Sequence, residues 1–359
     1  MEGSAEYIRR RFFPDAPQDN PDLAWMGQST LPSDADVTSS LRFDLSGKPI
    51  SPSVSSSLPT HLGLHHHAEG AHAGYTLDDI FLLSRSTVPA QRATMLAVLA
   101  RIAQRASKMS RGDVEGMDDL MGKEEELRKR IVAAGIEAMS ERGSVGARAI
   151  EVIWQCVAGW DEEISSIQGV ELEVSNDATL NSLRLEFFLP QATALLSQGQ
   201  IVQESKTQLL GILKRLAQQS NDFAAEITTT PRLVDTVVKT FLLLPSSSPD
   251  SPSTPDPLAL DFLAILANAS RANALALREA ADATLQFVAI LPPASMYPVS
   301  LVTSLLTSTL RFYKELASYG LYAHVASIAM AEFAQLGRYI LSDTCESRKL
   351  MVAGTDLLE

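Results

Sequence analysis

The chain has 359 residues, of which 45% are hydrophobic and 20% charged. At about 150 residues per domain that is two ordinary domains or one continuous helical stack, and the balance excludes disorder over the full length. Thirty Lys and Arg against 43 Asp and Glu leave a formal charge of −13, so there is no cation excess for generic binding to phosphate backbones and the expected partners are proteins, basic ones included. Cys156 and Cys345, the two cysteines, are too few for a disulfide framework and fit a reducing compartment. Near the start, Arg9-Arg10-Arg11 runs into Phe12-Phe13-Pro14, too short an apolar stretch for a secretory signal. Nowhere is there an uncharged apolar run of about 18 residues that would span a membrane. The chain is therefore expected in the cytosol or nucleus, with no membrane partner.

Residues 1–77 are rich in Pro, Ser, Asp, Gly and His and hold no sustained helical period. A short helix is expected around Ala5–Arg11, ended by Pro14. Leu41-Arg42-Phe43-Asp44-Leu45 alternates apolar and polar before Ser46-Gly47-Lys48-Pro49-Ile50, which predicts a strand entering a tight turn. The segment is expected to drape on the helices that come after it in the chain. From Leu77 the period becomes helical. Thr76 ahead of Leu77-Asp78-Asp79 is an N-cap with first-turn acids, and Thr87-Val88-Pro89 starts a second helix. That helix carries a stripe of Met95, Leu96, Leu99, Ile102 and Ala103. Ser107–Gly122 reads as a loop. In Glu124-Glu125-Glu126-Leu127-Arg128-Lys129-Arg130 each acid precedes a base by one turn, which predicts a solvated helix face. Gly143–Gly146 reads as a loop ahead of a helix Ala147–Gly159.

The later helices overlay on one another. A large apolar residue, two others, an aliphatic residue and then Ala recur at Leu99…Ile102-Ala103, Trp154…Val157-Ala158, Leu213…Leu216-Ala217, Leu263…Leu266-Ala267 and Tyr313…Leu316-Ala317. The steps are 55, 59, 50 and 50 residues. The pattern is permissive and also matches out of register, as at Leu285…Val288-Ala289. Firmer is the overlay of Leu213–Ile227 on Leu263–Leu277, where Leu, Leu, Ala, Ser, Ala and an aliphatic coincide at one offset of 50. Helical pairs that cannot bury their stripes alone stack on their neighbours. The expected fold is therefore all-α: an armadillo/HEAT-like helical solenoid over residues 78–359, preceded by an irregular segment, 1–77, that contains a short strand or hairpin. The Ser/Pro-rich stretch Pro245–Pro257 is expected to be a flexible loop, with Asp256 capping the next helix. Ser248, Ser251 and Thr254 each precede Pro and are candidate sites of proline-directed phosphorylation; an inert linker is the alternative.

The sequence holds few residues in a catalytic pattern. There is no dinucleotide fingerprint, phosphate loop, nucleophile elbow or His-Glu-x-x-His, so no catalytic residue and no cofactor is assigned. Both cysteines read as buried, inert thiols. Five of the six histidines, His61, His65, His66, His67 and His72, crowd into twelve residues. Zinc is the sharp hypothesis, but adjacent imidazoles point different ways and no Cys or fixed carboxylate completes a tetrahedral set. No metal is therefore assigned, and hydrogen bonds from the loop to the first helices are the other reading.

Four segments carry a family likeness. They are Leu41–Gly47, Leu58–His67 (with Gly63-Leu64-His65-His66-His67), Ala73-Gly74-Tyr75-Thr76-Leu77 and Ser84–Arg92. Together they resemble the conserved C-terminal module of the RNA polymerase II-associated protein 1 family. Tyr7–Pro14 and Trp25-Met26 are similar to the lead-in to that module. The resemblance implies a non-enzymatic adaptor in RNA polymerase II assembly and nuclear import, present in nucleus and cytoplasm. Its implied partners are polymerase subunits and chaperone or GTPase assembly factors, with no direct nucleic acid. His65, His66, His67, Gly74, Tyr75, Thr76, Arg85, Gln91 and Arg92 are the candidate residues. They either anchor the leading segment on the first helical pair as a composite surface or serve the fold alone. A second function class is a general helical-repeat scaffold or transport carrier for basic cargo. Against it, the acids cluster at Asp113–Asp119 and Asp161–Glu163 instead of recurring once per repeat. An enzyme is the weakest reading.

Overall fold

The computed structural model describes residues 41–51, 73–109, 116–160, 177–199, 201–243, 254–292, 295 and 297–358. The helix expected at Ala5–Arg11, the histidine cluster and most of the Ser/Pro stretch lie outside the described residues. Leu41–Glu359 forms one compact unit. It opens with a two-stranded antiparallel hairpin, β1 (Arg42–Phe43) and β2 (Pro49–Ile50), in the register Arg42↔Ile50 and Phe43↔Pro49. The described elements after it are all helices. α1 (Leu77–Leu83), α2 (Pro89–Met109), α3 (Glu124–Ala138) and α4 (Ser144–Val157) come first. α5 (Ala178–Asn181), α6 (Leu185–Gln198), α7 (Gln203–Gln219), α8 (Asn221–Thr229) and α9 (Leu233–Phe241) come next. α10 (Pro257–Ala269), α11 (Arg271–Ala276), α12 (Arg278–Thr284), α13 (Val299–Ser318), α14 (Ala323–Ile340) and α15 (Arg348–Leu358) complete it. The fold is an all-α helical solenoid with a small leading hairpin.

A spine runs through the stack. α2 packs on α4, α4 on α7, α7 on α10, α10 on α13 and α13 on α15. The first five of these helices carry the five copies of the repeated pattern in chain order. Their aliphatic residues Leu99, Ile102, Val157, Leu213, Leu216, Leu263, Leu266 and Leu316 are all buried. Each such side chain contributes about 1.5–3 kcal/mol through burial, and the small Ala beside it lets neighbouring helices approach. One continuous apolar core extends from Phe43 to Ala353.

The offset of 50 residues is a structural repeat. Ser220 and Ser270 take up nearly the same extended backbone, φ −161°, ψ 159° and φ −166°, ψ 157°. The Ser220 hydroxyl accepts from the Phe223 amide at 3.1 Å, and that of Ser270 from the Asn273 amide at 3.1 Å. Each serine thus ends a spine helix and caps the short helix that folds back against it. Asp256 caps α10 by accepting from the Leu258 amide at 2.9 Å. Its own amide donates to the Phe241 carbonyl at 3.0 Å, so a backbone hydrogen bond joins residues on either side of the Ser/Pro-rich sequence.

The structure departs from the sequence-based expectation at three places. α2 continues to Met109, and Asp118–Leu120 forms a 3₁₀ turn. Met117 and Leu120 are fully buried there, so part of the expected loop 107–122 belongs to the core. α4 begins at Ser144, three residues ahead of the Ala147 expected, and Gly143 gives it no side-chain cap. The face of α3 is only partly solvated. Lys129 pairs with Glu125 at 2.6 Å on the surface, whereas Arg128 turns inward and is 5% exposed.

Candidate functional site

The candidate residues inside the described part fall at the hairpin end of the stack, in two neighbouring sets. The first is built around the hairpin turn. Asp44 Oδ1 accepts from the amides of Ser46 and Lys48, each at 2.8 Å, and from the Ser46 hydroxyl at 2.7 Å. An acid two residues before the bend thus closes an Asx turn. At the tip Gly47 has φ +69°, and a Cβ there would sit 2.9 Å from Arg101 Cβ on α2. Arg101 returns the contact, its Nη1 donating to the Leu45 carbonyl at 2.7 Å. The hairpin is therefore pressed against α2 through backbone.

On its other edge β1 pairs with the segment entering α1. The Phe43 amide donates to the Tyr75 carbonyl at 2.8 Å and the Tyr75 amide to the Phe43 carbonyl at 2.9 Å. Arg42 Nη1 donates to the Gly74 carbonyl at 3.1 Å. Gly74 has φ +102°, and a Cβ on it would lie 2.8 Å from Ile50 Cδ1 and 3.1 Å from the Phe43 carbonyl oxygen. Only glycine meets both conditions at once. Thr76 then starts α1 with a reciprocal cap: its hydroxyl accepts from the Asp79 amide at 3.1 Å, and its amide donates to Asp79 Oδ2 at 3.0 Å. Phe43, fully buried, is the apolar centre of this clasp.

The second set holds the corner between α1 and α2 and ties it to the end of α3. Arg92 Nε donates to the Ser84 carbonyl at 3.1 Å, and its Nη1 pairs with Glu141 at 2.9 Å. Arg85 pairs with Glu137 at 2.9 Å, with both side chains half exposed or more. Gln91 Oε1 accepts from the Ser86 hydroxyl at 2.6 Å, and that hydroxyl accepts from the Val88 amide at 3.1 Å. Arg130 of α3 completes the seam, 3.3 Å from Asp78 and 4.5 Å above the Phe81 ring. Exposed pairs of this kind contribute about 0.2–1 kcal/mol each. Gly74, Tyr75 and Thr76 serve the hairpin seam while Arg85, Gln91 and Arg92 serve the helical corner, and α1 links the two.

His65, His66 and His67 lie outside the described residues, as do Ser248 and Ser251; Thr254 is described and exposed. Among the described residues, no group of His, Cys, Asp and Glu is arranged to hold a metal ion. Nor is any helix among them long and apolar enough to cross a membrane. Cys156 is fully buried, and burial pushes its thiol from 9.0 up to about 12, the reverse of an activated nucleophile.

One polar group of consequence is hidden in the charge run of α3. Arg128 Nε donates to the Cys156 carbonyl at 2.7 Å and Nη1 pairs with Asp177 at 2.8 Å. The guanidinium lies 4.6 Å from the centre of the Trp160 ring. Its burial was signalled by its neighbours Leu127, Ile131 and Val132 on one face of α3, a signal masked by the charge run around it.

The family model described as RPAP1-like, C-terminal, matches residues 40–107. That span takes in the hairpin, the Tyr75 bridge, α1 and all but the end of α2. RNA polymerase II-associated protein 1 of Homo sapiens is 28% identical over 332 residues, covering 78% of this chain and 24% of that protein. RNA polymerase II-associated protein rba50 of Schizosaccharomyces pombe is 29% identical over 159 residues, 42% of this chain and 35% of its own. Its counterpart RBA50 of Saccharomyces cerevisiae is 32% identical over 108 residues, 29% of this chain and 25% of its own. The chain thus matches about a quarter to a third of the length of these relatives. Residues 40–107, the clasp and first helices, are thus similar to the C-terminal module of the RNA polymerase II-associated protein 1 family.

Proposed function

We propose that this chain is a non-enzymatic adaptor that associates with RNA polymerase II and supports its assembly and nuclear import. In this reading it binds polymerase subunits and chaperone or GTPase assembly factors and moves between cytoplasm and nucleus. The observation that carries the reading is the coincidence of the family's module with the clasp that closes one end of a continuous helical stack. Relatives that share the module are named for association with RNA polymerase II. A helical stack offers long faces for protein partners, and the acidic balance of −13 favours protein over nucleic acid.

Within the same proposal residues 1–77 are a leading segment and 78–359 the repeat domain. The exposed Arg85 and the half-buried Gln91 and Arg92 are candidate partner-binding residues, and His65, His66 and His67 are further candidates. Ser248, Ser251 and Thr254 are its modification sites.

The test is affinity purification of the tagged full chain from cells, with co-purifying proteins quantified by mass spectrometry. Polymerase II subunits are expected at stoichiometric enrichment, falling several-fold in Arg85→Glu with a melting temperature lowered only slightly, by the loss of the exposed Glu137 pair. A broad set of basic proteins without polymerase would make the chain a carrier. Enrichment of neither class would overturn the proposal. Intact-mass analysis of the same material is expected to show added phosphate that a Ser248→Ala, Ser251→Ala, Thr254→Ala variant lacks.

A further inference from the structure

The far end of the stack differs from the rest. α13 buries a long stripe from Val302 to Leu316, whereas the comparably long α14 keeps only Val325, Ala329 and Leu336 buried. α14 is also broken at Ala329, where φ −113° and ψ 25° leave the helical region. Between α13, α14 and α15 lies an open groove of about 750 Å³. Close-packed interiors hold few voids larger than a water molecule, so a groove of this size between stacked helices is a shaped surface. Tyr313, Leu316 and Val325 form its floor and Phe333, Met330 and Leu357 its walls. Tyr322 and Met330 stand at its edge 60% and 68% exposed.

The polar groups of the groove say what kind of molecule fits. The Tyr313 hydroxyl is engaged inward, donating to the Ala281 carbonyl at 2.8 Å and lying 3.1 Å from the Thr284 hydroxyl. The Ser318 hydroxyl donates to the Glu315 carbonyl at 2.7 Å. The Leu316 and Ala317 carbonyls accept from the amides of Leu321 and Gly320. An extended peptide laid here would lose water from its amides and find no ladder to replace it. A helix arrives with its backbone satisfied and offers only side chains. The charged side chains that line the groove are Lys314 and Asp356, 3.9 Å apart and each nearly half exposed. A pair so long and so wet is weak, and each member is free to exchange its partner for an incoming charge of opposite sign.

We propose that the α13–α14–α15 groove is a docking site for an amphipathic helix of a partner protein. The helix would carry an apolar stripe at i, i+3, i+4 and i+7, flanked by one acid for Lys314 and one base for Asp356 about a turn apart. The site is distinct from the clasp at residues 41–109, and its existence does not depend on the polymerase reading.

The probe is a fluorescein-labelled 18-residue peptide of Leu, Ala, Glu and Lys with that stripe and one flanking Glu–Lys pair, titrated into the full chain by anisotropy. Saturable binding is expected. It should weaken at least tenfold in Met330→Lys, a substitution at an exposed position that leaves the fold intact, and in Ala317→Trp, which fills the groove. Lys314→Glu should weaken binding several-fold, and a peptide with Lys in place of the flanking Glu should recover it. Four results would overturn the proposal: no binding, equal affinity in wild type and Met330→Lys, equal binding of a peptide broken by a central Pro, or no recovery by charge exchange. Sedimentation showing a dimer that Met330→Lys dissociates and the peptide does not compete away would assign the groove to a second copy of the chain, and would equally overturn it.

Discussion

Arg128 and Asp177 meet at 2.8 Å with 6% and 7% of their side chains exposed, an ion pair sealed between α3 and α5. Asp177 divides its work: Oδ2 takes the guanidinium, while Oδ1 caps α5 by accepting from the amides of Thr179 and Leu180 at 3.0 and 3.2 Å. Arg128 also holds the Cys156 carbonyl at the end of α4. One guanidinium therefore ties three helices at the point where α4 gives way to the next layer.

Removing one partner of a buried pair leaves the other charge without compensation, which costs about 3–5 kcal/mol. Asp177→Ala is expected to lower the unfolding free energy by that amount in urea titrations, since it also removes the α5 cap. Arg128→Met keeps the stem volume and is expected to lose less than Arg128→Ala. The double variant Arg128→Met, Asp177→Ala should lose less than the sum of its two single variants. Additive losses in that cycle would mean that the pair is not coupled.

Gly74→Ala tests the clasp. The new Cβ would meet Ile50 and the Phe43 carbonyl, and the backbone at φ +102° disfavours any side chain; strain of this type costs about 1–3 kcal/mol. The stack beyond α2 does not depend on Gly74, so the loss should be local. Hydrogen exchange is expected to accelerate at the Phe43 and Tyr75 amides, which bridge the two segments, and to stay unchanged at Leu213 and Leu263. Uniform acceleration would show that the hairpin and stack unfold as one unit.

Much of this architecture was legible in the residues. The spine follows from Leu99, Trp154, Leu213, Leu263 and Tyr313 because a buried helix face must repeat its apolar spacing wherever it stacks. The hairpin was legible in the alternation Leu41–Leu45 and the turn residues Ser46-Gly47-Lys48-Pro49, since that turn uses chemistry local to the sequence. Arg128 was not, because the same acid–base spacing serves a wet face and a buried pair, and Asp177 is 49 residues away. The groove was illegible for a related reason: Tyr322, Met330 and Phe333 have the spacing of a core stripe, and only the stacking of α13, α14 and α15 decides which of them is left uncovered.

The two serine caps give a quantitative test of the repeat. Ser220→Ala and Ser270→Ala each delete one side-chain acceptor at the same place in successive layers, at a cost of about 1 kcal/mol. Equal backbone geometry predicts equal losses, and sites in separate layers predict additive ones. The double variant should therefore lose about 2 kcal/mol in thermal or chemical denaturation. Gly at either position should recover most of the loss, because it tolerates the extended cap backbone. A large inequality between the two serines would mean that the offset of 50 residues repeats in sequence without repeating in energetics.

Cys156 makes the last prediction, one of pH. Its thiol is fully buried and pushed from 9.0 to about 12, chiefly by loss of water, with the Arg128 charge opposing. In the unfolded chain the thiol ionises near its ordinary value, whereas the folded chain keeps the proton over the next few pH units. The stability tied to this group is therefore complete below about pH 9 and drains away as pH rises towards 12. A single proton sets the slope at about 1.4 kcal/mol per pH unit at most. Cys156→Ala removes that slope, so the difference in unfolding free energy between wild type and variant should shrink between roughly pH 8 and pH 10.5. In parallel, iodoacetamide at about pH 8 should leave Cys156 unmodified in the folded chain and label it fully in urea. Rapid labelling without denaturant would place the thiol within reach of solvent and overturn both halves of the expectation.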